Sequence, residues 1–430
     1  MAHPDWALKY KEKNTELRCI KGRYYLYAYS TIYCPIKKRA KKVTGKSLGR
    51  ITEKDGFIPS GTKIPNDFMQ VFSALDDPRS PRAKTYPLVE ILIVAFLSII
   101  SGGEGYVDME CFGKLKLMFL RKFYAFKNGT PSDDTFRRFF TQLNPEKFKA
   151  LFRKWVESLA VTAKATVIAI DGKCSRGSHD GELQMLHTVS AYDTGSHVVF
   201  GQEKVASKSN EITAIPALLD VMDIKDAVIT IDAMGCQFLI ADIIVNKGAD
   251  YVLSLKGNQG SLQEDVKLFL DNSTTLETFT HCDAGHGRIE QRTISLSQDV
   301  AWLKPRHEKW KTIQTLIKIE SIREIKDKKT AETRYYISSK RTSPQAFLSI
   351  IRSHWAVENS LHWVLDMTFH EDKSRIRKGH APLIMTMMRH AALNLLQLHK
   401  ASRQSIKSLM RMSALDDHIL FNILTRNKPS

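Results

Sequence analysis

The sequence predicts an α/β chain, and two observations carry most of that prediction. Two short β-branched runs, VIAIDGK at 167–173 and VITIDAMG at 228–235, each finish on an aspartate followed by a small residue. Between and after them, segments of period two and period 3.6 alternate, so strands and helices take turns along the chain. The length of 430 residues suits two or three domains, and the 43% hydrophobic fraction is ordinary for a soluble globular protein.

Residues 1–60 read as a basic β-ribbon arm. The first 50 carry 13 Lys+Arg against 3 Asp+Glu, more than half of the chain's net +18. Tyrosines alternate through GRYYLYAYSTIYC, Pro35 marks a turn, and Lys37, Lys38 and Arg39 lead into a second strand. Interleaved Tyr and Lys/Arg suit a nucleic-acid backbone, the alternative being a solvated charged hairpin. The basic balance itself favours a polyanionic partner.

Residues 61–162 turn helical. Pro87 can open LVEILIVAFLSII in its first turn, and Gly102 and Gly103 end it. This run falls well short of the roughly 20 apolar residues a bilayer requires, so it reads as a core helix and no membrane partner is expected. Two further helices split near Asn144-Pro145, the first with Ser132 as N-cap and Asp133 and Asp134 in its first turn. Arg137, Arg138, Lys147, Lys149, Arg153 and Lys154 on these helices fit either a helix-turn-helix-like DNA-binding unit or an amphipathic bundle with a charged face.

From 163 the elements fall in a nameable order. VIAID is a strand; LHTVSAYDTGSHVVFGQEKV is two strands joined at Asp193-Thr194-Gly195; NEITAIPALLDVM is a helix; AVITID is a strand. CQFLIADIIVNKG is a helix closed by Gly248, DYVLSLKG a strand, and SLQEDVKLFLD a helix capped by Ser261. This βββαβαβα order is that of an RNase H-like fold, in which the first and fourth strands are neighbours. Asp171 and Asp232 would then face each other across one edge.

Facing carboxylates repel, and a divalent cation removes the conflict. Mg²⁺ takes carboxylate, water and phosphate oxygens, and a pair of ions can serve both oxygens of an in-line displacement on a phosphodiester. Strand-end aspartates that only cap the following turn are the plain alternative. A third acid lies downstream, where Ser343 caps and Pro344 opens a long helix, QAFLSIIRSHWAVENSLHWVLDMTF. Phe347, Ile351 and Trp355 form an apolar stripe that Glu358 continues, which is costly unless the glutamate is paired or binds metal. An ion pair with Arg352 or Arg375 is the alternative, and His354 and His362 read as packing or DNA contacts. The 126 positions between Asp232 and Glu358 leave room for a β-rich insertion at about 280–342, with Trp302, His307 and Trp310 favoured as core. Residues 401–430 form a helical tail.

The motifs IDGK (170–173), SNEI (209–212), IDAMGCQ (231–237), LKGNQ (255–259), SHWAVENSLHWVLDMTF (353–369) and EDKSRIRKG (371–379) occur in order. Over residues 65–400 the chain therefore resembles the H-repeat-associated insertion-sequence transposases, a branch of the DDE transposases. The resemblance implies an RNase H-like catalytic domain over 163–400, an acidic triad of Asp171, Asp232 and Glu358 as catalytic and metal-binding residues, two Mg²⁺ or Mn²⁺ ions, and cleavage and strand transfer at the terminal inverted repeats of a mobile element. Related DDE enzymes carry a Tyr-x2-Arg-x3-Glu-x6-Lys signature; here those flanking positions are Ile351, His354 and Leu365. Phosphate contacts then pass to other residues. The candidates are Lys173, Lys256, Asn258, Arg352 and His354, with Arg375, Arg377 and Lys378 downstream and Arg137 and Arg138 upstream.

DNA is thus the expected partner, bound by a homo-oligomer. Six scattered cysteines without a C-x-x-C pair, and no signal peptide, suit the bacterial cytoplasm and nucleoid rather than a disulfide or zinc framework. A nuclease without strand transfer and a catalytically silent DNA-binding repressor are the other readings.

Overall fold

A computed structural model of the chain describes residues 3–8, 10–11, 15–34, 39–53, 56–59, 67–159, 167–178, 185–206, 210–285, 287–325 and 328–426. They form two compact units, Met1–Leu143 with Arg411–Ser430, and Asn144–Met410.

The first unit begins with helix α1 (Asp5–Leu8) and an antiparallel sheet in sequential order, β1 (Thr15–Ile20), β2 (Arg23–Cys34), β3 (Arg39–Thr52) and β4 (Gly56–Pro59). Lys21 and Gly22 both have positive φ, the two-residue hairpin geometry that matches the twist of the flanking strands. Ala7, Leu17, Leu26 and Ile51 form a small core of this sheet's own. Arg39 is exposed at the start of β3, whereas Pro35, Lys37 and Lys38 lie outside the described residues.

Five helices follow: α2 (Asp67–Phe72), α3 (Leu88–Ile100), α4 (Tyr106–Leu115), α5 (Leu117–Leu120) and α6 (Asp133–Gln142). Helix α3 is buried on nearly every side, as its uniformly apolar sequence requires. Its one acid, Glu90, is satisfied by the backbone N–H of Phe126 at 2.8 Å. Ser132 holds the N-cap position of α6 without a capping side-chain bond.

In the second unit, α7 (Pro145–Leu159) precedes a nine-stranded sheet. Its apolar face buries Phe148, Phe152 and Trp155, and the buried Lys149 pairs with Glu203 at 2.7 Å, so this helix belongs with the sheet and Lys149 is not a surface cation. Strands β5 (Val167–Ser175), β6 (Leu186–Asp193) and β7 (Val198–Lys204) form an antiparallel meander. Helix α8 (Glu211–Asp220), β8 (Val228–Ile231), α9 (Phe238–Asn246), β9 (Asp250–Leu255) and α10 (Gly260–Asn272) come next, with β8 parallel to both β5 and β9. Helix α10 starts at Gly260 directly after a 3-10 turn over Gly257–Gln259, so Gln259 rather than Ser261 occupies its cap position.

Four long strands, β10 (Glu277–Gly285), β11 (Arg288–Ser297), β12 (Thr315–Ile325) and β13 (Lys328–Ser338), continue the same sheet, because β13 pairs antiparallel with β9. The strand order is β10-β11-β12-β13-β9-β8-β5-β6-β7. Trp310 is buried in the core, Trp302 packs on Phe269 at 4.8 Å between ring centres, and His307 bonds Asp265 at 2.9 Å.

Alternation along the strands divides the sheet into two buried faces. Ile168, Ile170, Ile229, Ile231 and Leu253 point toward α8, α9 and α10. Val228 and Val252 point the other way, onto Phe347, Leu348 and Ile351 of α11 (Pro344–His354). Each such side chain contributes about 1.5–3 kcal/mol by leaving water, so α11 is fixed over β5 and β8 by apolar packing before any polar contact is counted. Helix α11 is capped by the Ser343 hydroxyl, which accepts from the Ala346 N–H at 3.3 Å. The expected single long helix is interrupted: a π-helical turn spans Val357–His362, then α12 (Trp363–Met367) resumes. Helix α13 (Ala381–His399) is buried almost throughout. The chain closes with α14 (Ile406–Leu415) and α15 (Asp417–Thr425). Among the described residues no helix is long and apolar enough to cross a membrane.

Candidate active site

The parallel register decides where the two aspartates stand. Ile170 of β5 lies opposite Ile231 of β8, so Asp171 and Asp232, the first residue past β8, stand at one level, and alternation along β5 turns Asp171 toward the α11 face. Asp171 does not end its strand, since β5 runs on to Ser175 and Asp171 pairs with Ser190 of β6. Only the parallel pairing ends there, because β8 stops at Ile231. The site therefore sits at the carboxyl end of β8, where β5 loses its parallel partner and continues paired with β6.

Asp232 turns out of its strand into a tight loop. Its Oδ1 accepts the N–H of Met234 at 3.0 Å and of Gly235 at 3.3 Å, so turn-capping and a strand-tip position coexist in one residue. A Cβ on Gly235 would collide with Ile231 and Ile215, which is why the loop can fold so close to the sheet. The LKGNQ motif ties this loop down. Asn258 Nδ2 donates to Ala233 O at 2.7 Å, and Gln259 Nε2 to Cys236 O at 3.0 Å. Asn258, expected to touch DNA, thus spends its amide on the Asp232 loop.

Glu358 lies on the π-helical turn, where the Trp363 N–H bonds back to Glu358 O, five residues earlier. The apolar stripe stops one turn earlier, at Ile351. Phe347 and Ile351 are buried, but Trp355 is 48% exposed and the Glu358 side chain 57% exposed, so the glutamate does not continue an inward stripe. Its neighbour is His362 rather than an arginine. His362 Nδ1 stands 3.6 Å from Asp171 Oδ2 and 3.7 Å from Glu358 Oε2, with its side chain only 8% exposed. Asp171, Glu358 and His362 can each offer one donor atom so that all three lie within 4.8 Å of one another. His354 is held from the sheet, its Nδ1 2.9 Å from Thr230 Oγ1, and is therefore part of the packing of α11 on β8 and not a surface contact.

The electrostatics follow from this crowding. Burial pushes the Asp171 carboxyl up to about 6, and the negative charges of Glu358 and Asp232 add to that, against His362 and the Gly172 N–H. Contact with His362 holds Glu358 below the ordinary glutamate value. Burial lowers His354, so its ring is neutral at pH 7. A fourth acid, Glu211, is pushed up by burial and by Asp232 although His187 bonds it at 2.9 Å. Its carboxylate lies against Gly172, where any side chain would collide with it. Glu211 stands in the SNEI segment, but nothing in its spacing from the other acids marks it from sequence.

The basic candidates divide. Lys173 is committed to Asp366 at 2.6 Å and Asp372 at 3.6 Å, with 10% side-chain exposure, so it is not free for DNA. Arg377 donates to Gly177 O at 3.0 Å, and together these bonds fasten the EDKSRIRKG segment along the end of β5. Lys256, Arg375 and Lys378 are exposed. Arg352 is exposed and pairs with Asp283 at 3.0 Å. Arg137 and Arg138 are exposed on α6, paired within the helix to Asp133 and Asp134.

The donor set of carboxylates and imidazole, partly open at Glu358 and closed behind by α11, has the chemistry of a divalent-cation site facing solvent. Comparison with known proteins supplies the context. A family model described as "Transposase DDE domain" matches residues 162–395, and one described as "DDE_Tnp_1-associated" matches 69–156. The protein called "H repeat-associated putative transposase YhhI" from Escherichia coli (strain K12) is 37% identical over 366 residues, 83% of this chain and 97% of that protein. "Putative transposase YncI" from Escherichia coli O157:H7 is also 37% identical, over 365 residues covering 83% and 94%. Among solved structures, a piggyBac transposase synaptic complex with hairpin DNA aligns over 84% of this chain and 77% of that one, at 11% identity and a TM-score of 0.42, too low to carry an argument.

Proposed function

The chain belongs to the DDE transposases, metal-dependent enzymes of mobile elements, and on that premise we propose that Asp171, Asp232 and Glu358 are its catalytic acids. Its substrate would be the terminal inverted repeats of an insertion element, cleaved and joined to target DNA by an RNase H-like core. The observation that carries this reading is the Ile170–Ile231 register, which brings Asp171 of β5 and Asp232, the first residue past β8, to one level, with Glu358 on the π-helical turn close to Asp171.

Mg²⁺ or Mn²⁺, two ions in our reading, would neutralise charge on the scissile phosphodiester and activate the attacking hydroxyl. The protein's own part is preorganisation. Asn258 and Gln259 hold the Asp232 loop, His354 anchors α11 to Thr230, and the segment after Asp366 locks the end of β5. Burial of Asp171 makes a proton compete with the cation for its carboxyl, so at limiting metal activity should fall as pH drops through about 6, and saturating metal should move that fall to lower pH. DNA-phosphate contacts fall to exposed cations that the fold leaves available, Lys256, Arg375 and Lys378, with Arg39, Arg137 and Arg138 in the other unit. Action on paired ends calls for a homo-oligomer, working at the nucleoid in the cytoplasm.

Asp232→Asn tests the assignment, since it keeps the shape and the turn-capping acceptor while removing the charge. Cleavage of DNA carrying the element's ends should drop by orders of magnitude, with gel-shift affinity within a few fold of wild type. Near-normal cleavage would remove Asp232 from the site. Equal loss of DNA binding and of folding would instead mark it as a turn-forming residue.

A further inference from the structure

We propose that His362 is itself a metal ligand, its Nδ1 joining Asp171 and Glu358 around one divalent cation; this rests on the acidic-site reading above and extends it. The geometry leads. Donor atoms about 2.1 Å from a shared ion stand about 3.0 Å apart when cis and about 4.2 Å apart when trans. The two His362 separations, 3.6 and 3.7 Å, fall between those values and are too long for hydrogen bonds. Two of the three separations thus lie within the span an ion imposes, and all three donors stand within 4.8 Å of one another.

The surroundings point the ring at the acids. Among the described residues buried His362 Nε2 has no partner, so the polar engagement of the ring is at Nδ1, which faces two carboxylates. A histidine that contacts DNA needs exposure, and this residue is 6% exposed. Unlike His354, whose Nδ1 is taken by Thr230, His362 keeps Nδ1 directed at the acids. With the ring proton on Nε2, Nδ1 presents its lone pair to the ion. The π-helical turn contributes by carrying Glu358 and His362 on one wide loop, so both donors can close on Asp171 without deforming β5.

A mixed oxygen and nitrogen set has a chemical consequence. Mg²⁺ is poorly matched to imidazole, whereas Mn²⁺ and Co²⁺ accept it, so the site should discriminate in their favour. The experiment uses the full-length protein with Mn²⁺ alone, read by electron spin resonance. Saturable Mn²⁺ binding should show electron spin-echo modulation from a directly bonded ¹⁴N. His362→Asn, whose Oδ1 falls near the place of Nδ1, should still bind Mn²⁺ but lose that modulation and narrow the Mn²⁺-over-Mg²⁺ preference. His362→Ala should weaken Mn²⁺ binding about tenfold or more, while His354→Gln should keep the nitrogen signal. Mn²⁺ binding that is lost in Asp171→Asn but carries no nitrogen modulation in the wild type would overturn the proposal alone, as would undiminished affinity in a folded His362→Ala. No saturable binding in the wild type would overturn both this proposal and the acidic site on which it rests.

Discussion

Asp171 carries a cost that the folded protein accepts for its site. Its carboxyl ionises at about 6 when folded, against 3.8 as the ordinary value. Between those limits the folded form binds the extra proton, so the penalty is absent below about pH 4, grows through that window and is complete above about pH 6. A shift of this size corresponds to about 3 kcal/mol. Metal-free Asp171→Asn should therefore melt higher than wild type at pH 7.5, and the gap should close toward pH 4. Saturating Mn²⁺ should shrink or reverse it, because only the wild type gains the full stabilisation of the bound ion. Scanning calorimetry at two pH values, with and without Mn²⁺, checks this; equal melting temperatures at pH 7.5 would show that the buried, ionised Asp171 carboxyl carries no such cost. The two aspartates are visible in the sequence because a β-branched run announces each strand and an acid directly follows it, although β5 runs on past Asp171 to Ser175. His362 is not. Its i+4 spacing from Glu358 reads as an ordinary helix face, and a π-helical turn has no sequence pattern that would say otherwise.

Among elements, the loop between β8 and α9 decides how well the acid on it is aimed. Asn258 is exposed and contributes about 0.5–1.5 kcal/mol through its bond to Ala233 O, so Asn258→Ala should leave the melting temperature nearly unchanged. Loosening the Asp232 loop should nonetheless lower kcat about tenfold or more. KM for end DNA should stay near wild type. A rise in KM with kcat intact would return Asn258 to the role of DNA contact. Gly235→Ala should behave differently, costing about 1–3 kcal/mol of stability because the new methyl meets Ile231 and Ile215. Strand and helix order through residue 272 follows from local periodicity and turn residues. The attachment of β13 to β9 does not, since that pairing joins residues about eighty positions apart and depends on which sheet edge is left free. Nor does the interruption of α11, where the Phe347–Ile351 spacing gives no warning that Trp355 turns to solvent.

For the whole molecule, the net +18 is the property on which DNA affinity should depend, and its concentration in the first 50 residues was legible from composition alone. The division into units was not: α7 joins the sheet through Lys149–Glu203 and its aromatic face, and the C-terminal residues group with the first unit, neither of which a composition boundary reveals. Within the four-stranded sheet some cations are already engaged, Arg18 and Lys42 with Glu16, and Lys42 4.0 Å from the Tyr29 ring centre. Arg23, Arg39 and Arg50 are exposed and unspent on any ion pair among the described residues. Each phosphate neutralised adds about 0.9 to the slope of log affinity against log salt. A chain lacking residues 1–60 removes a sheet with its own small core, so the remainder should keep its fold. Its salt slope should fall by about three if those arginines each meet a phosphate, while Mn²⁺ affinity at the acidic site should not move. Fluorescence anisotropy of end DNA from low to high salt measures the first, and Mn²⁺ titration the second. An unchanged slope would place DNA binding on the other exposed cations, Lys256, Arg375 and Lys378 among them, and would make the arm a surface for something other than DNA.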